Sequence, residues 1–302
     1  MPKISTPAIE RYAAKHRGGR KRKYSSPGRE AWKRLRRNRT AMVGMVILFI
    51  LVVIAIFANA IAPYSYQEQV YTDAYQRPSS THLFGTDNYG RDLFSRCVFG
   101  ARYSLVLAVT CVLSSYFVGG SLGMIAGYSG GRLGNTIMRV MDMLQGIPQV
   151  LLAICIAASL GNGIPQLIAA ITIATTPTTA RNSRAAVLNV KHAEYVESSR
   201  AIGVKSGRMI LRHMLPNTVG VIVVFMVSLM GASINMMASL SYLGVGISPP
   251  TPEWGLILAG SKQFFTSYSY MVLFPAAMIM LTILSFNMLG DGLRDALDPR
   301  LK

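Results

Sequence analysis

The sequence predicts an all-α integral membrane protein with six transmembrane helices. Half of the 302 residues are hydrophobic (51%) and only 15% are charged, and several apolar runs reach the roughly 20 residues that a helix needs to cross a bilayer. Of the 31 Lys and Arg residues, 26 fall on one side of these runs and five on the other. This asymmetry predicts that both termini are cytosolic, and it explains the net charge of +18 as a topology signal rather than a nucleic-acid-binding surface.

The order of polar and apolar stretches divides the chain into three predicted regions. Residues 1–28 form a disordered basic cytosolic tail, and 29–80 form an N-terminal module in which Trp32 suits the membrane interface. Residues 81–302 form the core transmembrane domain, with a cytosolic segment at 190–217. The predicted spans are 41–62, 104–128, 137–160, 164–180, 218–242 and 270–289.

Glycine and proline mark the first three spans. Pro63 ends the first span, and a polar loop follows in which Asp87 is expected to cap a short helix. In the second span, glycines recur at four-residue spacing, a smooth stripe that allows close contact with another helix. Pro148 interrupts the third span. The glycines of the stripe are Gly119, Gly123 and Gly127.

Asp142 is the one acid expected within a span. An intramembrane acid suggests a function, but Arg139 lies three residues earlier on the same helical face. We therefore expect the two to form a structural ion pair.

The later spans carry polar residues whose role the sequence leaves open. Pro177 stands among threonines whose hydroxyls can serve backbone groups that a proline frees. In the fifth span, polar and small side chains lie in a stripe along one face of the predicted helix, which forms either a helix–helix seam or one wall of a polar path. Trp254 is expected at the membrane interface, and residues 291–302 as a short polar tail. The stripe consists of Ser228, Gly231, Ala232, Asn235 and Ser239.

The cytosolic segment is the most distinctive stretch of the chain. Seven Lys and Arg residues lie between Arg181 and Arg212, against two acids, Glu194 and Glu197. Gly203 is expected to divide the segment into two short helices, and Pro216 to close it. A charged helix–turn–helix between two spans is suited to contact a cytosolic partner.

The residues needed for enzyme chemistry are missing from the spans. All four histidines lie outside them, the three cysteines show no metal-ligand spacing, and no glycine-rich phosphate loop is present. We therefore expect neither catalysis nor a bound metal or cofactor. If the protein moves a solute uphill, the energy enters from another subunit.

Four stretches resemble the permease subunits of bacterial ABC importers for peptides and nickel, specifically the C-type subunit of the dipeptide/oligopeptide permease pair. They are 32–44, 84–105, 194–217, and 241–255 together with 290–300. The third is similar to the EAA motif of ABC import permeases, with Ser198 and Ser199 in place of the usual alanines. Met237 stands where relatives often have an acid.

The resemblance implies a type I importer fold and a coupling helix, Glu197 to Gly203, that docks on a cytosolic ATPase. The residues implied in coupling are Glu194, Glu197, Ser198, Ser199, Arg200, Ala201, Gly203, Lys205 and Pro216. The residues expected in helix packing or the transport path are Gly119, Gly123, Gly127, Asp142, Ser228, Ala232 and Asn235.

The resemblance also implies the partners. These are a homologous second permease, two cytosolic ATPase subunits that hold ATP and Mg²⁺, and an extracytoplasmic binding protein, all at a bacterial cell membrane. The expected substrate is a peptide. One alternative is a nickel or metal-chelate importer of the same family, and another is an ion-coupled secondary carrier.

Overall fold

The computed structural model describes residues 27–297, and this part of the chain contains helices and loops but no β-strand. Residues 1–26 of the predicted basic tail, and 298–302, lie outside the described residues. Short helical turns also occur at Ala58–Ile61, Tyr71–Asp73 and Lys262–Phe264. The helices are α1 Pro27–Leu35, α2 Arg39–Ile56, α3 Leu93–Ser129, α4 Gly131–Gln145, α5 Gln149–Leu160, α6 Ile164–Val190, α7 Glu194–Ala201, α8 Ser206–Tyr242, α9 Trp254–Ser261 and α10 Tyr270–Leu297.

Four of the described helices, α2, α3, α8 and α10, are long and apolar enough to cross a membrane. Helices α4 and α5 qualify together but are bent by 86° at the break that contains Pro148. The 27-residue α6 is long enough at 1.5 Å per residue, yet it carries a row of buried threonines that lowers its apolar character. The all-helical membrane fold is thus confirmed, and the count of six spans stays a prediction.

Several helices continue beyond the predicted span ends. Helix α6 runs to Val190 instead of residue 180, and α10 runs to Leu297, so the predicted polar tail begins as the last turns of that helix. Pro216 does not close the charged segment, because it lies inside the continuous α8. A π-helical stretch, Met209–Met214, precedes Pro216, and its wider turn accommodates the proline ring.

The residue that caps α3 is Asp92 rather than Asp87. Asp92 directly precedes the helix, and its carboxylate accepts a hydrogen bond from the Ser95 amide at 2.7 Å. Its other oxygen lies 3.0 Å from Nδ1 of His82. The expectation for Asp87 was wrong because a better-placed acid stands immediately before the first helical residue.

Asp87 instead forms a buried ion cluster with two arginines. Its Oδ2 lies 2.6 Å from Nε of Arg91 and 3.8 Å from Nε of Arg96, and all three side chains are buried. We call Asp87, Arg91, Arg96, Asp92 and His82 the rim network, and the end of the bundle that holds it the rim end.

Trp254 lies in the core at the rim end and not at a membrane interface, so the sequence-based expectation was wrong. Its indole N–H donates to the Cys97 carbonyl at 2.9 Å. A Cβ on Gly100 would lie 2.5 Å from the indole ring, so glycine is what admits the ring. The preceding Glu253 caps α9, because its carboxylate accepts hydrogen bonds from the amides of Gly255 and Leu256. Burial raises the pKa of this carboxyl group.

Helices α3 and α6 pack with almost no space between their backbones. A Cβ added to Gly119 would collide with Oγ1 of Thr179, and one added to Gly123 with the Ala180 carbonyl. At Gly127 the nearest atom would be Cγ1 of Val187, at 3.0 Å. The stripe therefore lies in a seam within the chain.

A π-helical turn interrupts α3 beside this seam, at Tyr116–Gly120. The hydroxyl of Thr179 donates to the Ser115 carbonyl at 3.0 Å, and the hydroxyls of Ser115 and Thr175 lie 2.6 Å apart. Hydroxyls of α6 thus serve the backbone where the regular helical pattern of α3 is broken.

Helix α1 lies against the end of the bundle that carries α7. Leu35 is buried with Ala41 and Ala296, which ties α1 to the last turns of α10. Trp32 is 49% exposed, and the Arg36 guanidinium lies 5.9 Å from its ring centre.

Candidate functional site

Helix α7 is fixed to the bundle by a single apolar anchor. Val196 is fully buried, in a cluster with Val187 of α6 and with Met209 and Met214 of α8. Tyr128, at the end of α3, packs against the same cluster. Three long helices, α3, α6 and α8, therefore meet at this anchor.

Most of the remaining surface of α7 is exposed and charged, and the Arg200 guanidinium lies 5.9 Å from the ring centre of Tyr128. Glu194, Glu197, Arg200 and Ala201 are all exposed. The Glu197 carboxylate lies 4.0 Å from Nδ1 of an exposed histidine, a weak surface pair. This face is available to another molecule.

Ile202, directly after α7, is 82% exposed, the largest exposed fraction among the large hydrophobic side chains of the described chain. It adds an exposed apolar group to the surface that carries the exposed charges of α7.

Gly203 reverses the chain in a Schellman motif. Its amide donates to the Arg200 carbonyl at 3.0 Å, and the amide of Val204 donates to the Ser199 carbonyl at 3.2 Å. The φ of Gly203 is +79°, in the left-handed region that favours glycine. The structure thus places Gly203 at the turn between α7 and α8, the division that the sequence predicts.

The two serines of α7 are satisfied locally. The hydroxyl of Ser198 donates to the Glu194 carbonyl at 2.8 Å, and that of Ser199 to the Tyr195 carbonyl at 2.7 Å. Both bonds run to the residue four positions back, so the serines stay within the helix without leaving unpaired donors.

Beyond the turn, Lys205 and Arg208 are exposed and line a shallow concavity of about 430 Å³ together with Ile202 and Gly203. Pro216 is exposed, but it lies on the long helix α8 beyond the π-helical stretch and does not line this concavity. We call the exposed residues from Glu194 to Arg208 the α7 face.

Asp142 pairs with Arg181 of α6, at 2.5 Å, and not with Arg139 as expected. Both side chains of the observed pair are about half exposed. The three-residue spacing indicated a local partner, but α6 extends past its predicted end and brings Arg181 closer.

The polar stripe of α8 divides into two parts. Ser228 and Gly231 face α10: a Cβ on Gly290 would lie 2.7 Å from Oγ of Ser228. Ala232 is exposed, and Asn235 lines an open groove of about 670 Å³ between α8, α9 and α10.

Asn287 of α10 lines the same groove and was missed by the sequence-based reasoning. The available signal was a lone carboxamide within the apolar run of the last span, the same kind of signal that singled out Asn235.

Two family models match the chain. Residues 119–302 match the binding-protein-dependent transport system inner membrane component. Residues 26–78 match the N-terminal transmembrane domain of oligopeptide transport permease C.

Curated relatives match over almost the whole length. The dipeptide transport system permease protein DppC of Alkalihalophilus pseudofirmus is 43% identical, over 92% of this chain and 91% of that protein. The glutathione transport system permease protein GsiD of Escherichia coli O6:K15:H31 is 44% identical, over 92% of each chain.

Among solved structures, one of the MetNI methionine ABC transporter, described as inward facing, aligns with a TM-score of 0.54. It is 18% identical and covers 67% of this chain and 96% of that chain. This likeness shows a shared fold. The family matches and the relatives above show that this chain belongs to the family of binding-protein-dependent transport inner membrane components, among the ABC importer permeases of the DppC/OppC type.

Proposed function

We propose that this chain is the permease subunit of an ATP-driven importer of short peptides. The observation that carries the proposal is the α7 face. It presents exposed charges and the exposed Ile202, and the buried Val196 of α7 packs against α3, α6 and α8. The peptide substrates follow from the DppC and GsiD relatives, named for dipeptide and glutathione transport.

The proposed assembly contains a homologous second permease, two cytosolic ATPase subunits and an extracytoplasmic binding protein. The distribution of basic residues supports a cytosolic location for both termini and for the α7 face. ATP and Mg²⁺ would bind the ATPase subunits, where hydrolysis supplies the free energy for transport.

In this proposal α7 acts as a rigid lever. A partner that pulls on Glu197 and Arg200 moves Val196, and with it the ends of three long helices. The exposed charges suit an interface that is remade in each cycle, and the π-helical stretches in α3 and α8 are where these helices can change their bend.

The observed ion pair counts against a secondary carrier built on Asp142. A carrier's coupling site needs an acid near the membrane midplane, whereas Asp142 is half exposed and already paired with Arg181. The relatives favour peptide over nickel as the substrate.

The experiment is co-purification of the subunits and measurement of receptor-stimulated ATP hydrolysis after co-expression with the neighbouring permease and ATPase genes. Glu197→Lys reverses a charge on the α7 face, and Gly203→Pro cannot adopt a φ of +79° or donate to the Arg200 carbonyl. Both are expected to lose ATPase binding or its coupling to uptake.

The matched control is Glu68→Lys, the same charge change on an exposed residue of the loop 62–92 that precedes α3, which we call the rim loop. It should leave ATPase binding and hydrolysis unchanged. A chain that purifies without any ATPase, with both α7 variants behaving as wild type, would overturn the proposal.

A further inference from the structure

The groove between α8 and α10 holds two carboxamides at the depth of the bilayer core. A Cβ on Gly231 would lie 3.3 Å from Oδ1 of Asn287, so Asn287 lies level with the middle of the apolar stretch of α8. Asn235 follows Gly231 by four residues, about one helical turn further toward the rim end.

Both carboxamides are exposed and, within residues 27–297, neither side chain has a hydrogen-bond partner. Two other polar side chains line the groove, Tyr242 and Ser239, and the hydroxyl of Ser239 already donates to the Asn235 carbonyl at 2.8 Å. A carboxamide has two donors and an acceptor, and hydrocarbon can satisfy none of them. This face of the helix pair is therefore unsuited to contact lipid tails.

The remaining lining of the groove is uncharged and mostly apolar, including Leu258, Met280 and Ile283. Such a surface does not select for the charge of a ligand. The polar chemistry that it offers is that of an amide, and the best complement to an amide is another amide with its N–H and C=O groups.

We propose that this groove is a wall of the translocation path, where Asn235 and Asn287 hydrogen-bond the main-chain amides of a passing peptide. Because only the main chain is recognised, peptides with different side chains are accepted. The groove volume of about 670 Å³ fits a short peptide. This inference rests on the proposed function, because it assumes a peptide substrate.

The test uses the complete transporter with its binding protein in proteoliposomes. The probe is trialanine, or the member of a di- and tripeptide library that the wild type imports fastest, compared with its analogue methylated at every peptide nitrogen. The variants are Asn235→Leu, Asn287→Leu and the double variant. Thr110→Val, at a partly exposed position of α3 that does not line the groove, is the matched control for loss of a membrane polar group.

Each Asn→Leu variant is expected to slow import of the unmodified peptide by about threefold to tenfold, the effect of losing one hydrogen bond. Import of the methylated analogue should change by less than that, and Thr110→Val should change neither. Because every variant uses the same binding protein, its own preference between the two peptides cancels in the variant-to-wild-type ratio.

Three results would overturn the inference. Unchanged import in the double variant would show that the groove is not on the path. Equal losses for both peptides, with poorer recovery of the permease pair, would identify the groove as the seam with the second permease. If the wild type imports no member of the library, it is the proposed function that fails.

Discussion

At the rim end of the bundle, the side chains of Asp87, Arg91 and Arg96 are buried, and both arginines form ion pairs with the Asp87 carboxylate. At the other end, the charges of Glu197 and Lys205 are exposed, and the contact of Glu197 within the chain is long and weak. Helix α3 connects the two regions, since it begins beside the rim network and ends at the Val196 cluster.

The difference separates residues that hold the fold from residues left for a partner. Buried charges that lose a partner are costly, whereas exposed ones contribute little to folding. Substitutions in the rim network should therefore lower the stability of the subunit, and substitutions on the α7 face should change its interactions at nearly constant stability.

The largest effect is expected for Asp87→Leu. It leaves Arg91 and Arg96 buried without their carboxylate, and breaking a buried ion pair in this way costs about 3–5 kcal/mol. Thermal unfolding of the purified permease pair should show a large decrease in midpoint. Glu68→Leu, an exposed acid of the same loop, should leave the midpoint near that of wild type. Equal midpoints for both variants would contradict a stabilising role for the network.

A smaller loss is expected for Trp254→Phe. The phenyl ring keeps most of the apolar contact beside Gly100, but the indole hydrogen bond to the Cys97 carbonyl is lost, which costs about 0.5–1.5 kcal/mol. The same unfolding measurement should place this variant between wild type and Asp87→Leu. ATPase binding should be retained, because the α7 face lies at the opposite end.

The sequence was sufficient to predict the features that depend on local patterns. Apolar runs predict the helices, and the spacing from Glu194 to Gly203 predicts a short charged helix ending at a glycine turn, which the structure contains. These features follow from residues close together in the chain.

Features that depend on distant contacts were not predicted. The sequence does not show that Gly100 faces Trp254, so Trp254 was expected at the membrane interface. It also does not show that α6 places Arg181 beside Asp142, so Arg139 was expected as the partner of Asp142. Pro148 marks a break, but the sequence does not give the 86° angle between α4 and α5. Asn287 could not be assigned to a site from the sequence, because only the fold shows that it lines the same groove as Asn235.

A modest effect on stability is expected for Gly203→Ala. No atom lies within 4 Å of the added Cβ, so the cost is only that of a left-handed backbone, about 1 kcal/mol. If the strained turn makes the position of α7 less rigid, more ATP should be hydrolysed per transported peptide. Gly260→Ala, in α9 at the rim end, is the control, since its Cβ also meets no atom and its φ is not left-handed. A decrease in stability as large as that of Asp87→Leu would show that the turn belongs to the folding core.

The smallest change in stability and the clearest change in assembly are expected for Ile202→Ser. A side chain that is 82% exposed contributes little to folding, so the free energy of unfolding should stay within about 0.5 kcal/mol of wild type. If Ile202 enters a groove on an ATPase, the variant should bind that ATPase more weakly, as measured by titration of purified ATPase onto the permease pair. Leu83→Ser removes a leucine that is 54% exposed in the rim loop and should not affect this titration. Because the two substitutions remove similar exposed apolar groups at opposite ends, equal binding by both would mean that exposure alone does not mark the α7 face as the partner surface.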